Sequence, residues 1–165
     1  DDVGEMEKML NEYLQFASSR SAETTETFDL SELLETTIIK YEKKEITTDI
    51  SKEVFLDGRK NLMQRCFSNL IDNAIKYSAN VYISLRKLNN NILITIDDDG
   101  PGIPENEREN VFKPFYKIDK SRGDSKSSVG LGLSIASDTV KSHGGNIKLE
   151  TSPTNGLRIK VILPF

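Results

Sequence analysis

The chain has 165 residues, of which 36% are hydrophobic and 29% charged, with a formal net charge of −4. That is the composition of one ordinary globular domain with a short extension, and the mild acidity gives no reason to expect nucleic-acid binding. A single cysteine, Cys66, excludes an internal disulfide, and no apolar run is long enough to span a bilayer or to mark a signal peptide.

In chain order, Val3, Met6, Met9, Leu10, Tyr13, Leu14 and Phe16 form a helical stripe among Glu5, Glu7, Lys8 and Glu12. The chain lacks an initiator Met and Asp1 already falls in that pattern, so a piece of a longer protein is expected. Residues 18–27 are rich in Ser, Thr and Glu without an apolar period and read as a linker. The domain proper is expected from Phe28 onward, over 28–165. Asp29 or Ser31 is placed to cap a helix whose face is Leu30, Leu33, Leu34, Ile38 and Tyr41. Residues 45–50 and 54–56 read as short strands. A helix follows with Leu62, Met63, Cys66, Phe67, Leu70, Ile71, Ala74 and Ile75 on its core face, which makes Cys66 a small buried hydrophobe.

Strands are then expected at 80–88 and 91–97, joined through Asn89-Asn90. Residues 105–111 read as a short polar helix, and 117–128, polar and charged, as the body of a mobile lid spanning about 113–129. A helix runs from near Leu131 to His143. Strands at 146–151 and 157–163 close the chain as a hairpin turning through Pro153-Thr154-Asn155-Gly156. Helices and strands mix without a regular βαβ repeat. The pattern predicts an α/β (α+β) two-layer sandwich, one mixed β-sheet with helices packed on one face.

Three stretches carry chemistry. Asp97-Asp98-Asp99-Gly100-Pro101-Gly102-Ile103 ends the buried strand Ile92-Leu93-Ile94-Thr95-Ile96. A carboxylate there can accept from an exocyclic base amine, and the glycines admit a ligand close to the backbone. The same composition also makes an ordinary turn with a capping aspartate. On the preceding helix Asn69, Asn73 and Lys76 stand at i, i+4 and i+7, one stripe of two amides and an ammonium that suits Mg²⁺ and phosphate. Downstream, Ser128-Val129-Gly130-Leu131-Gly132-Leu133 opens a helix, where free N–H groups and the dipole favour phosphate.

In this order the three stretches resemble the nucleotide-binding boxes of sensor histidine kinases. Asn69–Tyr77 is similar to the asparagine box, Asp98–Gly102 to the first glycine box, Phe112-Lys113-Pro114-Phe115-Tyr116 to the phenylalanine box and Gly130-Leu131-Gly132-Leu133 to the second glycine box. His143-Gly144-Gly145 adds a fifth signature, and the resemblance covers about residues 28 to 165. It implies the catalytic ATP-binding domain of a two-component kinase, with the left-handed-crossover (Bergerat) sandwich of its superfamily. Residues 1–17 are then expected to be the end of the second helix of the dimerisation and histidine-phosphotransfer hairpin.

The resemblance implies roles residue by residue. Asp98 would contact adenine. Asn73 would supply the Mg²⁺ oxygen with Asn69 in support, and Lys76 would neutralise phosphate. Tyr77 would pack near the base, and Ile103 and Leu131 would line its pocket or serve the core. Gly100, Gly102, Gly130 and Gly132 would admit the nucleotide backbone-close. Asp97 and Asp99 are expected to be solvated or bound to backbone. Lys117 or Arg122 would reach the triphosphate from the lid, and Ser128 stands where the family usually has glycine. His143, the only histidine, precedes two glycines at a helix end, so it is not expected to be the phosphoacceptor; that residue would lie outside this fragment.

ATP and Mg²⁺ are the implied cofactors. The implied partners are the phosphoacceptor hairpin, a response regulator and a second copy in a homodimeric parent, without nucleic acid or direct membrane contact. The implied location is the cytoplasmic portion of a membrane-anchored bacterial sensor. Two other readings compete: an ATP hydrolase of the same superfamily, disfavoured because Asn69 stands where those relatives carry a glutamate base, and a nucleotide-binding docking module without kinase activity.

Overall fold

The computed structural model describes residues 3, 4, 7, 8, 10, 11, 13, 14, 23–41, 45–116 and 131–165. The described residues before position 15 are helical, with Val3, Leu10 and Leu14 exposed. The body of the domain contains strands β1 (Glu26–Asp29), β2 (Glu45–Ile50), β3 (Phe55–Gly58), β4 (Asn80–Lys87), β5 (Asn91–Asp98), β6 (Asn146–Thr151) and β7 (Leu157–Pro164). Its helices are α1 (Leu30–Ile39), α2 (Lys60–Tyr77) and α3 (Gly132–Ser142).

The five-stranded sheet has the order β2-β4-β5-β7-β6. β2 runs parallel to β4 and every other pairing is antiparallel, so the sheet is mixed as expected. Period-2 alternation places Val81, Ile83 and Leu85 of β4, Ile92, Ile94 and Ile96 of β5, and Leu157, Ile159, Val161 and Leu163 of β7 on one buried face. α2 packs on β4 and β5 and α3 on β6, while α1 reaches α2 and β3. The core is therefore one layer of branched side chains under three helices. Tyr82 and Arg86 belong to the opposite, polar face.

Two local features depart from the sequence expectation. β3 does not extend the main sheet but pairs with β1, an unexpected strand that begins at Glu26, in a separate two-stranded sheet. Residues 105–112 form two 3₁₀ turns, Glu105–Glu107 and Asn110–Phe112, rather than a helix. In that stretch only Val111 is buried, too little apolar surface to hold a continuous helix in place. The α1 cap resolves to Asp29, whose carboxylate accepts from the Glu32 N–H at 3.1 Å, while Ser31 bonds Ser51 and Val54 instead.

Candidate functional site

The last residue of β5, Asp98, is 4% exposed and held from two sides. Its Oδ1 accepts from the N–H groups of Gly100 at 2.9 Å and Leu157 at 3.0 Å, and its main-chain carbonyl accepts from Ser152 Oγ at 2.7 Å and Thr154 Oγ1 at 3.0 Å. Among the described residues Oδ2 carries no hydrogen bond, so one carboxylate oxygen is fixed and the other is available. Burial raises the Asp98 carboxyl above its ordinary range against the two backbone donors, with the neighbouring Asp99 and Asp97 charges adding to the rise. The other two aspartates go elsewhere. Asp97 makes a bidentate pair with Arg158, at 2.7 and 2.8 Å, on the far face of the sheet. Asp99 accepts from the Ala79 and Asn80 N–H groups, each at 3.0 Å, and from Asn80 Nδ2 at 2.7 Å; the Asn80 bonds lead in holding its carboxyl below the usual range.

α2 lies along this loop. A Cβ on Gly100 would sit 2.4 Å from the Tyr77 carbonyl, so the glycine is what lets the loop touch the helix end. One end of the stripe is thus at the first glycine pair. The other is at α3: a Cβ on Gly132 would lie 3.9 Å from Asn69 Cβ. Tyr77 lies eight positions after Asn69, about 12 Å along the helix, with half-buried Asn73 and Lys76 on the stripe between. The Asn69 Nδ2 is buried without a hydrogen-bond partner, and Lys76 Nζ sits 5.4 Å from the centroid of the Tyr77 ring. α3 begins at Gly132 with no side-chain cap, leaving first-turn N–H groups for a ligand.

This layout, with a buried carboxylate at one end and a bare helix N-terminus at the other, is matched by a family likeness. Residues 58–165 match the family described as histidine kinase-, DNA gyrase B-, and HSP90-like ATPase. The chain belongs to that family. Sensor histidine kinase CpxA of Escherichia coli (strain K12) is 37% identical over 111 residues, 67% of this chain and 24% of CpxA. The mycobacterial sensor histidine kinase MprB has a solved structure that superposes with a TM-score of 0.76 at 26% identity, covering 86% of this chain and 97% of that one. The ATP-binding domain of PrrB from Mycobacterium tuberculosis superposes with a TM-score of 0.71 at 27% identity, covering 85% and 96%. Within the family, the domain is an ATP-binding catalytic domain of the sensor histidine kinase type. The chain spans 24% of the first curated relatives it matches.

Of the remaining expected site residues, Lys117, Arg122, Ser128 and Gly130 lie outside the described residues. Gly102 follows the loop with φ +72°, and Ile103 packs half-buried on the core. Leu131 is buried with Leu62 and Ile135 between α2 and α3. In the phenylalanine box Phe112 packs on the core, Phe115 is exposed with φ +66°, and the Tyr116 hydroxyl donates to Glu107. His143 is fully engaged inside the fold. Its Nδ1–H donates to the Thr139 carbonyl at 2.8 Å, and its Nε2 accepts from the Arg59 N–H at 3.0 Å.

Three contributors carry no local sequence signal. The Ser152–Leu157 turn grips Asp98 from 54 to 59 residues downstream. Glu23, within the stretch read as linker, accepts from the Asn61 and Leu62 N–H groups at 2.8 and 3.0 Å and so caps α2. Arg65, one turn before Asn69, brings a buried guanidinium nitrogen to the same stripe. As for a metal, no group of three or more His, Cys, Asp or Glu side chains among the described residues could hold one. The buried, unsatisfied Asn69 Nδ2 is an N–H donor that fits a phosphate oxygen, and an ion arriving with those phosphates would take an amide oxygen rather than an all-protein cage.

Proposed function

We propose that this domain binds Mg-ATP and donates its γ-phosphoryl group to a histidine on a dimerisation hairpin, from which it passes to an aspartate of a response regulator. The observation that carries the reading is the anchored Asp98 carboxylate with Oδ2 open, facing a loop that touches the α2 stripe. In the proposed pose Oδ2 accepts from the adenine amine, Tyr77 packs beside the base and the glycines admit the ribose and phosphates. Asn73, supported by Asn69, would hold Mg²⁺, which when bound neutralises charge on the phosphate oxygens. Lys76 neutralises phosphate charge directly, and the α3 N-terminus adds its dipole. Positioning and charge neutralisation are most of what phosphoryl transfer asks of a protein.

Hydrolysis is the weaker reading. The Asn69 amide has no basicity near neutral pH with which to activate water. The acceptor is proposed to lie outside these 165 residues, because His143 has both ring nitrogens committed to backbone partners. No helix among the described residues is long and apolar enough to cross a membrane, which is compatible with the proposed cytoplasmic placement. The test is γ-labelled ATP with a separately supplied dimerisation hairpin. Label on the hairpin histidine supports the kinase reading, label released only as inorganic phosphate supports the hydrolase, and bound but unconsumed ATP supports the docking module.

A further inference from the structure

We propose that Arg65 is a further phosphate-binding residue of this site, reaching the terminal phosphate of the nucleotide from α2; the inference rests on the nucleotide reading above. Arg65 lies one turn N-terminal to Asn69 on the same side of α2. Its two neighbours on that side both meet the start of α3: Leu62 packs on Leu131 and Ile135, and Asn69 lies against Gly132. Arg65 therefore stands between two positions that meet the start of α3. Its Nη1 is buried and makes no hydrogen bond.

That arrangement is unfavourable in the empty protein. A buried donor on a cation without a partner carries its desolvation penalty uncompensated. The acids that could relieve it along α2 are occupied elsewhere: Glu23 caps the Asn61 and Leu62 N–H groups, and Asp72 accepts from the Tyr41 hydroxyl at 2.6 Å. Two unsatisfied buried donors, Arg65 Nη1 and Asn69 Nδ2, thus stand on residues one turn apart on α2, and Asn69 lies against the first residue of the uncapped α3. An anion bound there satisfies both donors. Its identity follows from direction along the helix. The base end is fixed at Tyr77 and Gly100, and the stripe runs from there through Asn73 to Asn69. Arg65 lies beyond, at the far end from the base, so it addresses the outermost phosphate. A planar fork of N–H donors suits that oxygen-rich group better than an ammonium would.

The experiment is titration calorimetry with ADP and with a non-hydrolysable ATP analogue on wild type, Arg65→Gln, Arg65→Lys and Asp98→Asn. Arg65→Gln is expected to weaken the ATP analogue by about tenfold while leaving ADP within about twofold, the loss of one charge-assisted contact made only to the third phosphate. Arg65→Lys recovers part of the preference for the triphosphate, Asp98→Asn weakens both ligands alike, and the ligand-free melting temperature of Arg65→Gln does not fall. Wild-type binding with an unchanged ATP-to-ADP preference in Arg65→Gln overturns the role of Arg65 alone. So does equal weakening of both ligands with a lowered melting temperature, the mark of a structural arginine. A folded wild type that binds neither nucleotide overturns the site reading and this role with it.

Discussion

Three consecutive aspartates take three different partners because a strand sends alternate side chains to opposite faces. Asp97 points to the polar face and pairs with Arg158, Asp98 points inward beneath the glycine loop, and Asp99, past the strand end, ties the loop to Ala79 and Asn80. Only Asp98 keeps an oxygen open toward the proposed base. In Asp98→Asn, Oδ1 still accepts from Gly100 and Leu157, but an NH₂ replaces the open acceptor and faces the adenine amine. Affinity for ATP is expected to fall about 100-fold, on the order of 3 kcal/mol, as read by calorimetry. The stability of the empty protein should not fall with it. Burial raises the folded-state pKa of Asp98 above its unfolded value, so the stability linked to its proton is fully present below the unfolded pKa and lost as pH rises through the folded one. The asparagine variant has no carboxylate charge to desolvate at that place, and a thermal melt at neutral pH should show it at least as stable. The same raised pKa sets a pH dependence of binding. Nucleotide affinity requires the ionised form and should decline with acidification at a higher pH than an ordinary aspartate would impose, and a pH series on Asp98→Asn should lack that decline.

At the scale of elements, the β6–β7 hairpin acts as a brace behind Asp98. A Cβ on Gly156 would lie 2.1 Å from the Asp98 carbonyl oxygen and 2.6 Å from its Oδ1, so hairpin and strand end cannot separate without losing the grip on the carboxylate. Gly156→Ala is expected to destabilise the fold by about 1–3 kcal/mol and to weaken nucleotide binding, seen as a lowered denaturation midpoint together with a raised Kd. His143 performs a different joining task, bridging the end of α3 to the β3–α2 junction through Thr139 and the Arg59 N–H, with Gly58 packed under the ring. His143→Ala leaves that N–H without its acceptor and should lower stability by about 1–3 kcal/mol while changing ATP affinity little, a pairing that denaturant melts and calorimetry separate. The helices and the long strands were legible because their apolar periods are local and strong: α2 buries seven side chains, all anticipated from spacing. β1 and the β1–β3 pairing were not, because four-residue strands take their identity from partners about thirty positions away. The same reason hid the Asp97–Arg158 pair, 61 residues apart, behind an expectation of solvated or backbone-bound carboxylates. The boxes of the site are contiguous in sequence and could be seen there, whereas the hairpin brace and Arg65 acquire meaning only from what the fold sets beside them.

At the scale of the whole molecule, the mixed sheet supplies a rigid floor from which β5 presents Asp98, and α2 spans from that floor's edge to the start of α3. The site is assembled from elements far apart in the chain, so it exists only in the folded domain, and a ligand that fills it should stabilise the fold by mass action. The unsatisfied donors along α2 at the α3 end and the open oxygen on Asp98 at the other are the two ends that the proposed nucleotide would bridge. The most direct check is calorimetric titration of this chain with a non-hydrolysable ATP analogue, with and without Mg²⁺, alongside Asp98→Asn. The account predicts saturable binding at one site, strengthened by Mg²⁺ and weakened in the variant. A folded wild type that takes up no nucleotide, or an Asp98→Asn variant that binds as well as wild type, would contradict it.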